Sequence, residues 1–154
     1  MPDKKINILY VDDEMNNLIS FKATFRIKYN VFTAEGGAEA VKVLENNEIN
    51  IIITDQRMPN MTGVEFLESI LETYPEPMRI LLTGYADMNA VIDAVNKGKI
   101  FHYLSKPWNE EELDMTIQRA YEIYNTRRED KMQTEKLEIS NEQLEFLLRQ
   151  KLLS

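Results

Sequence analysis

Five times along this chain a short apolar run, rich in β-branched residues, is followed by a stretch with helical spacing. The runs are Ile6–Val11, Val31–Ala34, Ile51–Thr54, Arg79–Thr83 and Ile100–Leu104. The helical sets are Leu18, Ile19, Phe21, Phe25; Ala40, Val41, Val43, Leu44; Leu67, Ile70, Leu71, Tyr74; Met88, Val91, Ile92, Val95; and Leu113, Ile117, Ala120, Tyr124. Ile51-Ile52-Ile53 shows no polar alternation, the pattern of a strand buried on both faces. A repeated βα unit forces a parallel sheet covered on both sides by helices and joined by right-handed crossovers. For five strands the predicted order is 2-1-3-4-5, the flavodoxin-like doubly wound arrangement.

The boundaries carry chemical signals. Gly36-Gly37 leads into the second helix. Thr62 and Glu65 have capping-box spacing, Asp87 is a candidate cap for the fourth helix, and Asn109 with Glu112 opens the fifth. Pro75 and Pro77 end the third helix and Gly98 the fourth. After Pro107 neither Gly nor Pro occurs, so the last helix is expected to run far beyond the α/β body. The division predicted is an α/β domain over 1–124 and a helical extension over 125–154. Met132, Ile139, Phe146 and Leu153 recur every seven residues, and Leu137, Asn141, Leu144 and Leu148 form a second stripe on another face. Asn125–Lys131 has no apolar seam, so a charged, solvated helix stands as the alternative to an oligomerising or output-linking one. The helix reaches Ser154 without a terminating residue, as expected of the front part of a longer protein.

A net charge of −8 argues against nonspecific binding to nucleic acid or anionic lipid by this segment. No run approaches the roughly 18 apolar residues of a membrane span, and none near the N-terminus resembles a signal region. Without cysteine, disulfides and thiolate metal sites are excluded. The expectation is a soluble, cytoplasmic protein.

The chemistry gathers at the carboxyl ends of the strands: Asp12 and Asp13 after the first, Asp55 after the third, Thr83 after the fourth, Lys106 after the fifth. In order 2-1-3-4-5 the first and third strands are neighbours, so the three acids cluster and repel unless a cation intervenes. Carboxylates without His or Cys point to Mg²⁺ or Mn²⁺. A carboxylate beside such an ion can act as a nucleophile toward phosphorus.

These residues carry a resemblance. Asp12-Asp13, the loop Asp55-Gln56-Arg57-Met58-Pro59-Asn60-Met61-Thr62-Gly63, Thr83 and Lys106-Pro107 stand in order, each at a strand end. Over residues 5 to 124 the chain resembles the receiver domain of two-component response regulators. The resemblance implies phosphoryl transfer to Asp55 from a sensor histidine kinase or phosphotransfer protein. It implies Mg²⁺ held by Asp13, Asp55 and the Arg57 carbonyl, with Asp12 acting through water. It also implies a cis Lys106-Pro107 bond aiming Lys106 into the site, and a switch in which Thr83 moves toward the phosphoryl group while Tyr103 turns inward. The fourth-helix face or the C-terminal helix would then serve a homodimer or an output.

Two rivals remain at this point. A Mg²⁺-dependent phosphohydrolase of the aspartyl-phosphate kind typically needs an acid two residues after its nucleophile, where this chain has Arg57. A receiver-like scaffold without phosphoryl chemistry would not need the full acidic set. Trp108 is expected against the start of the fifth helix and His102 exposed on its strand.

Overall fold

The structure, a computed structural model, describes residues 5–84 and 88–153. Elements alternate throughout: β1 (Asn7–Val11), α1 (Met15–Phe25), β2 (Asn30–Ala34), α2 (Gly37–Asn46), β3 (Ile51–Asp55), α3 (Gly63–Ile70), β4 (Met78–Thr83), α4 (Met88–Asn96), β5 (His102–Ser105) and α5 (Glu110–Leu153). All strand pairs are parallel, in order β2-β1-β3-β4-β5. The expected α/β architecture is present, and β1 and β3 lie side by side, as the order 2-1-3-4-5 places them. The chain divides into two compact units, residues 1–121 and 122–154.

Alternation along each strand sorts the core into two layers. Leu9, Val11, Ile52 and Leu81 share one face with Ala40 and Leu44 of α2, Val64, Phe66, Leu67 and Ile70 of α3, and Val91 and Ala94 of α4. The other face carries Tyr10, Ile53 and Ile80 in register, and Phe21 of α1 stacks on Tyr10 with ring centroids 4.2 Å apart. Leu113, Ile117 and Ala120 of α5 are fully buried. β3 is buried at every position, the consequence of its central place and helices on both sides. Thr62 caps α3 with a complete capping box, and Asn109 accepts from the Glu112 N–H at 3.0 Å.

Several elements differ from the sequence reading. Ile100 and Phe101 precede β5 instead of opening it; Gly98, at φ +73°, turns the chain and the Phe101 N–H bonds the Arg79 carbonyl at 2.8 Å. Ile19 and Ile92 are 60% and 43% exposed, while Phe66 and Ala94 take core positions that the periodic sets omitted. Adjacent apolar residues in a helix diverge by about 100°, so Ile19 beside buried Leu18 and Ile92 beside buried Val91 point away from the sheet. Asp87, the candidate cap of α4, lies outside the described residues. In the second unit the described residues, 122–153, are helical, and from Thr126 onward all are exposed.

Candidate functional site

Asp12 and Asp13 follow β1 and Asp55 ends β3, so strand pairing brings them to one edge of the sheet. One carboxylate oxygen from each lies within 4.8 Å of the others. Asp13 is exposed, whereas Asp12 is fully buried and Asp55 is 5% exposed. Buried anions need donors, and Asp12 has three. The Tyr10 hydroxyl donates to Oδ2 at 2.9 Å, Asn17 Nδ2 to the same oxygen at 3.0 Å, and the Glu14 N–H to Oδ1 at 3.0 Å. Burial, then the charge of Asp12, holds the Tyr10 hydroxyl far above its ordinary range, so it remains a donor at every physiological pH.

Asp55 is held differently. Lys106 Nζ lies 2.7 Å from its Oδ1. Burial pushes the Asp55 carboxyl above its ordinary value; the Lys106 hydrogen bond and charge oppose this, and Asp12 pushes it further up. Lys106 is joined to Pro107 by a cis peptide bond, and its backbone N–H bonds the Thr83 carbonyl at 3.0 Å. Trp108, expected against the start of α5, has a second neighbour that the sequence did not suggest. It packs against Phe21 and Phe25 of α1, centroids 6.0 and 5.7 Å away, joining the aromatic layer that begins at Tyr10.

The loop after Asp55 is clamped at both ends. The Gln56 N–H bonds the Leu82 carbonyl at 3.0 Å, and the Gln56 carbonyl accepts from Gly63 N–H at 2.9 Å. Its buried side chain accepts from Val64 N–H at 3.0 Å. Gly63 is required by space: a Cβ there would sit 2.4 Å from the Asp55 carbonyl oxygen and 2.7 Å from Leu81 Cδ1. Arg57 projects outward and is exposed. Thr83 is buried but its hydroxyl turns to the Gly84 carbonyl, 2.9 Å away. Tyr103, paired with Leu81 across β4 and β5, is half-buried against the core, and His102 is exposed. Asp12, Asp13, Asp55 and Lys106 therefore form one group, with Thr83 beside it and Tyr103 in the neighbouring layer.

Sequence reasoning missed Tyr10 and Gln56. Tyr10 was within reach of it, since a residue two before Asp12 on a strand shares its face. Gln56 and Gly63 act through the path of the loop, which spacing does not reveal.

Donor chemistry fits a hard divalent cation, because among the described residues the ligand atoms that converge here are carboxylate oxygens and the one histidine lies on β5. The response regulator receiver domain family matches residues 8–118. This chain belongs to that family. The hydrogenase transcriptional regulatory protein HoxA of Cupriavidus necator is 38% identical to this receiver over 122 residues, 79% of this chain and 25% of that protein. Transcriptional regulatory protein GlrR of Escherichia coli is 32% identical over 124 residues, 79% of this chain and 28% of that one. The receiver thus spans about a quarter of the length of the curated relatives it matches. The signal receiver domain of an HD domain-containing protein from Pseudomonas fluorescens superposes with a TM-score of 0.76 at 32% identity, covering 84% of this chain and 96% of that one. An adenylate cyclase structure from Rhodopirellula baltica gives 0.80 at 28% identity, covering 82% and 95%. Among the described residues, no helix is long and apolar enough to cross a membrane.

Proposed function

We propose that this receiver accepts a phosphoryl group on Asp55 from the phosphohistidine of a sensor histidine kinase or phosphotransfer protein. The observation that carries this reading is the group Asp12, Asp13, Asp55 and Lys106, a nearly buried acid with a cation 2.7 Å away and two more acids alongside. An Asp55 carboxylate oxygen forms the new bond to phosphorus, the bond to the donor imidazole breaks, and that nitrogen keeps the electron pair. Asp13, Asp55 and the Arg57 backbone carbonyl would hold Mg²⁺, with Asp12 acting through water. Mg²⁺ bound there would neutralise charge gathering on the phosphoryl oxygens.

The chain's own residues do the rest. Tyr10, Asn17 and the Glu14 N–H hold Asp12 in place. Lys106 orients Asp55 and then pairs with a phosphoryl oxygen. Thr83 gives up the Gly84 carbonyl to bond another, and Tyr103 turns further into the layer it already half enters. The phosphoryl group thereby favours one of two packings of the α4-β5-α5 face. The output is an attached or partner module, or association of two copies through the α5 extension or the α4 face. Relatives named as transcriptional regulators, an HD domain protein and an adenylate cyclase support a module that serves varied outputs. The segment acts in the cytoplasm, without catalysis beyond its own phosphorylation and dephosphorylation and without touching nucleic acid itself.

Site mapping tests this reading. After incubation with acetyl phosphate and Mg²⁺, borohydride reduction converts an aspartyl phosphate to homoserine. Peptide sequencing by mass spectrometry is expected to place homoserine at position 55 alone. Homoserine at another acid, with none at 55, would refute the assignment.

A further inference from the structure

The α5 extension bears two apolar stripes, and their geometry differs. Met132, Ile139, Phe146 and Leu153 form a single column, flanked three and four residues away by Glu135, Lys136, Glu142, Gln143, Arg149 and Gln150. One apolar residue per heptad supplies no hole for a knob, so this column is no coiled-coil seam. Leu137, Asn141, Leu144 and Leu148 alternate at four, three and four, which fills both seam columns over the distal half of the helix. These leucines are 64%, 57% and 55% exposed.

We infer that this second stripe is a parallel, in-register seam for a second copy of the chain, with Asn141 fixing its register. The inference rests on the homodimer reading proposed above and specifies its surface. Asn141 selects the occupant. An amide buried among leucines is costly without a polar partner, and a second copy in parallel register presents its own Asn141 at the same level. An antiparallel copy would place leucine there. Charge agrees: the residues flanking the seam are Glu138 and Glu145 on one side, Gln133, Ser140 and Leu147 on the other. Parallel packing sets each Glu beside a neutral residue, whereas antiparallel packing sets Glu against Glu.

The seam is short. From Thr134 to Lys151 it spans about 27 Å at 1.5 Å per residue. The seam positions before it, Arg127 and Asp130, would face like charges in a second copy. Such a seam makes a dimer that dissociates on dilution, as suits an interaction that a phosphoryl signal can tip.

The absence of native cysteine allows a clean test. The full chain is taken through sedimentation equilibrium across a wide concentration range, and Leu144→Cys and Phe146→Cys are oxidised separately. A reversible monomer–dimer equilibrium is expected, with cross-linking of Leu144→Cys and none of Phe146→Cys. Asn141→Leu is expected to lose the single dimeric state and give larger species. A dimer in which Phe146→Cys links as well as or better than Leu144→Cys, or in which neither links, overturns the seam while leaving a homodimer. A monomer at every concentration overturns both.

Discussion

Replacing Gly63 by alanine opposes two effects of known size. Alanine gains up to about 1 kcal/mol over glycine in a helix, chiefly by restricting the unfolded chain. Gly63 has an ordinary negative φ, so this gain is not forfeited to backbone strain. Sterics decide the sign. The new Cβ would stand 2.4 Å from the Asp55 carbonyl oxygen, where carbon–oxygen contacts normally open to about 3.3 Å. Leu81 Cδ1, at 2.7 Å, can rotate aside; the Asp55 backbone cannot. Parting the two backbones by roughly 0.9 Å breaks the 2.9 Å bond from Gly63 N–H to the Gln56 carbonyl and strains that from Val64 N–H to Gln56. Overpacking plus these bonds outweighs the gain, for a net loss of about 2–4 kcal/mol. At roughly 2.1 cal/mol/K per residue, a unit of 121 residues then melts about 8–16 °C lower. Differential scanning calorimetry of Gly63→Ala beside Gly84→Ala checks this, since a Cβ at Gly84 meets nothing within 4 Å and should leave Tm unchanged or slightly raised. Gly63→Ala melting at or above the wild-type temperature would refute the reasoning.

Other consequences follow from the same geometry. Tyr10→Phe keeps the stack on Phe21 but takes one donor from fully buried Asp12; urea unfolding should show a loss of about 1–3 kcal/mol. Asp55→Asn should stabilise the metal-free protein at neutral pH. The folded-state pKa of Asp55 is raised, so its contribution is fully present below the unfolded value of about 3.9 and lost as pH rises through the folded value. The melting advantage of the variant should therefore grow from pH 4 toward neutrality, and a constant advantage would contradict the sign. Mg²⁺ at about ten times its Kd should add roughly 1.4 kcal/mol, near 5 °C in Tm, and Asp13→Asn should abolish most of that shift in a thermal-shift titration.

Much of this was legible because an acid is expensive at the end of a buried strand. Asp12, Asp13 and Asp55 mark the site's edge in the sequence alone, and strand order brings them together. Turn chemistry was equally readable at Thr62 and Asn109, where caps act within three residues. Contacts between distant segments were not. Trp108 follows Pro107 in sequence, yet its neighbours are Phe21 and Phe25, a pairing fixed by the α1 layer and not by local spacing. The apolar run at Ile100 and Phe101 reads as strand by propensity, but the turn at Gly98 delays pairing until His102. Glycine at 63 read as punctuation, whereas its role is to let α3 approach the backbone of Asp55.

The central claim is that Asp55 is a phosphoacceptor served by its acidic neighbours and Lys106. Intact mass after incubation with acetyl phosphate tests it most directly, run with Mg²⁺, with EDTA, and with Asp55→Asn. The expected result is a single phosphoryl adduct, present only with the divalent cation and absent from the variant. An adduct that persists in Asp55→Asn would contradict it, as would a protein that binds no Mg²⁺ and acquires no adduct.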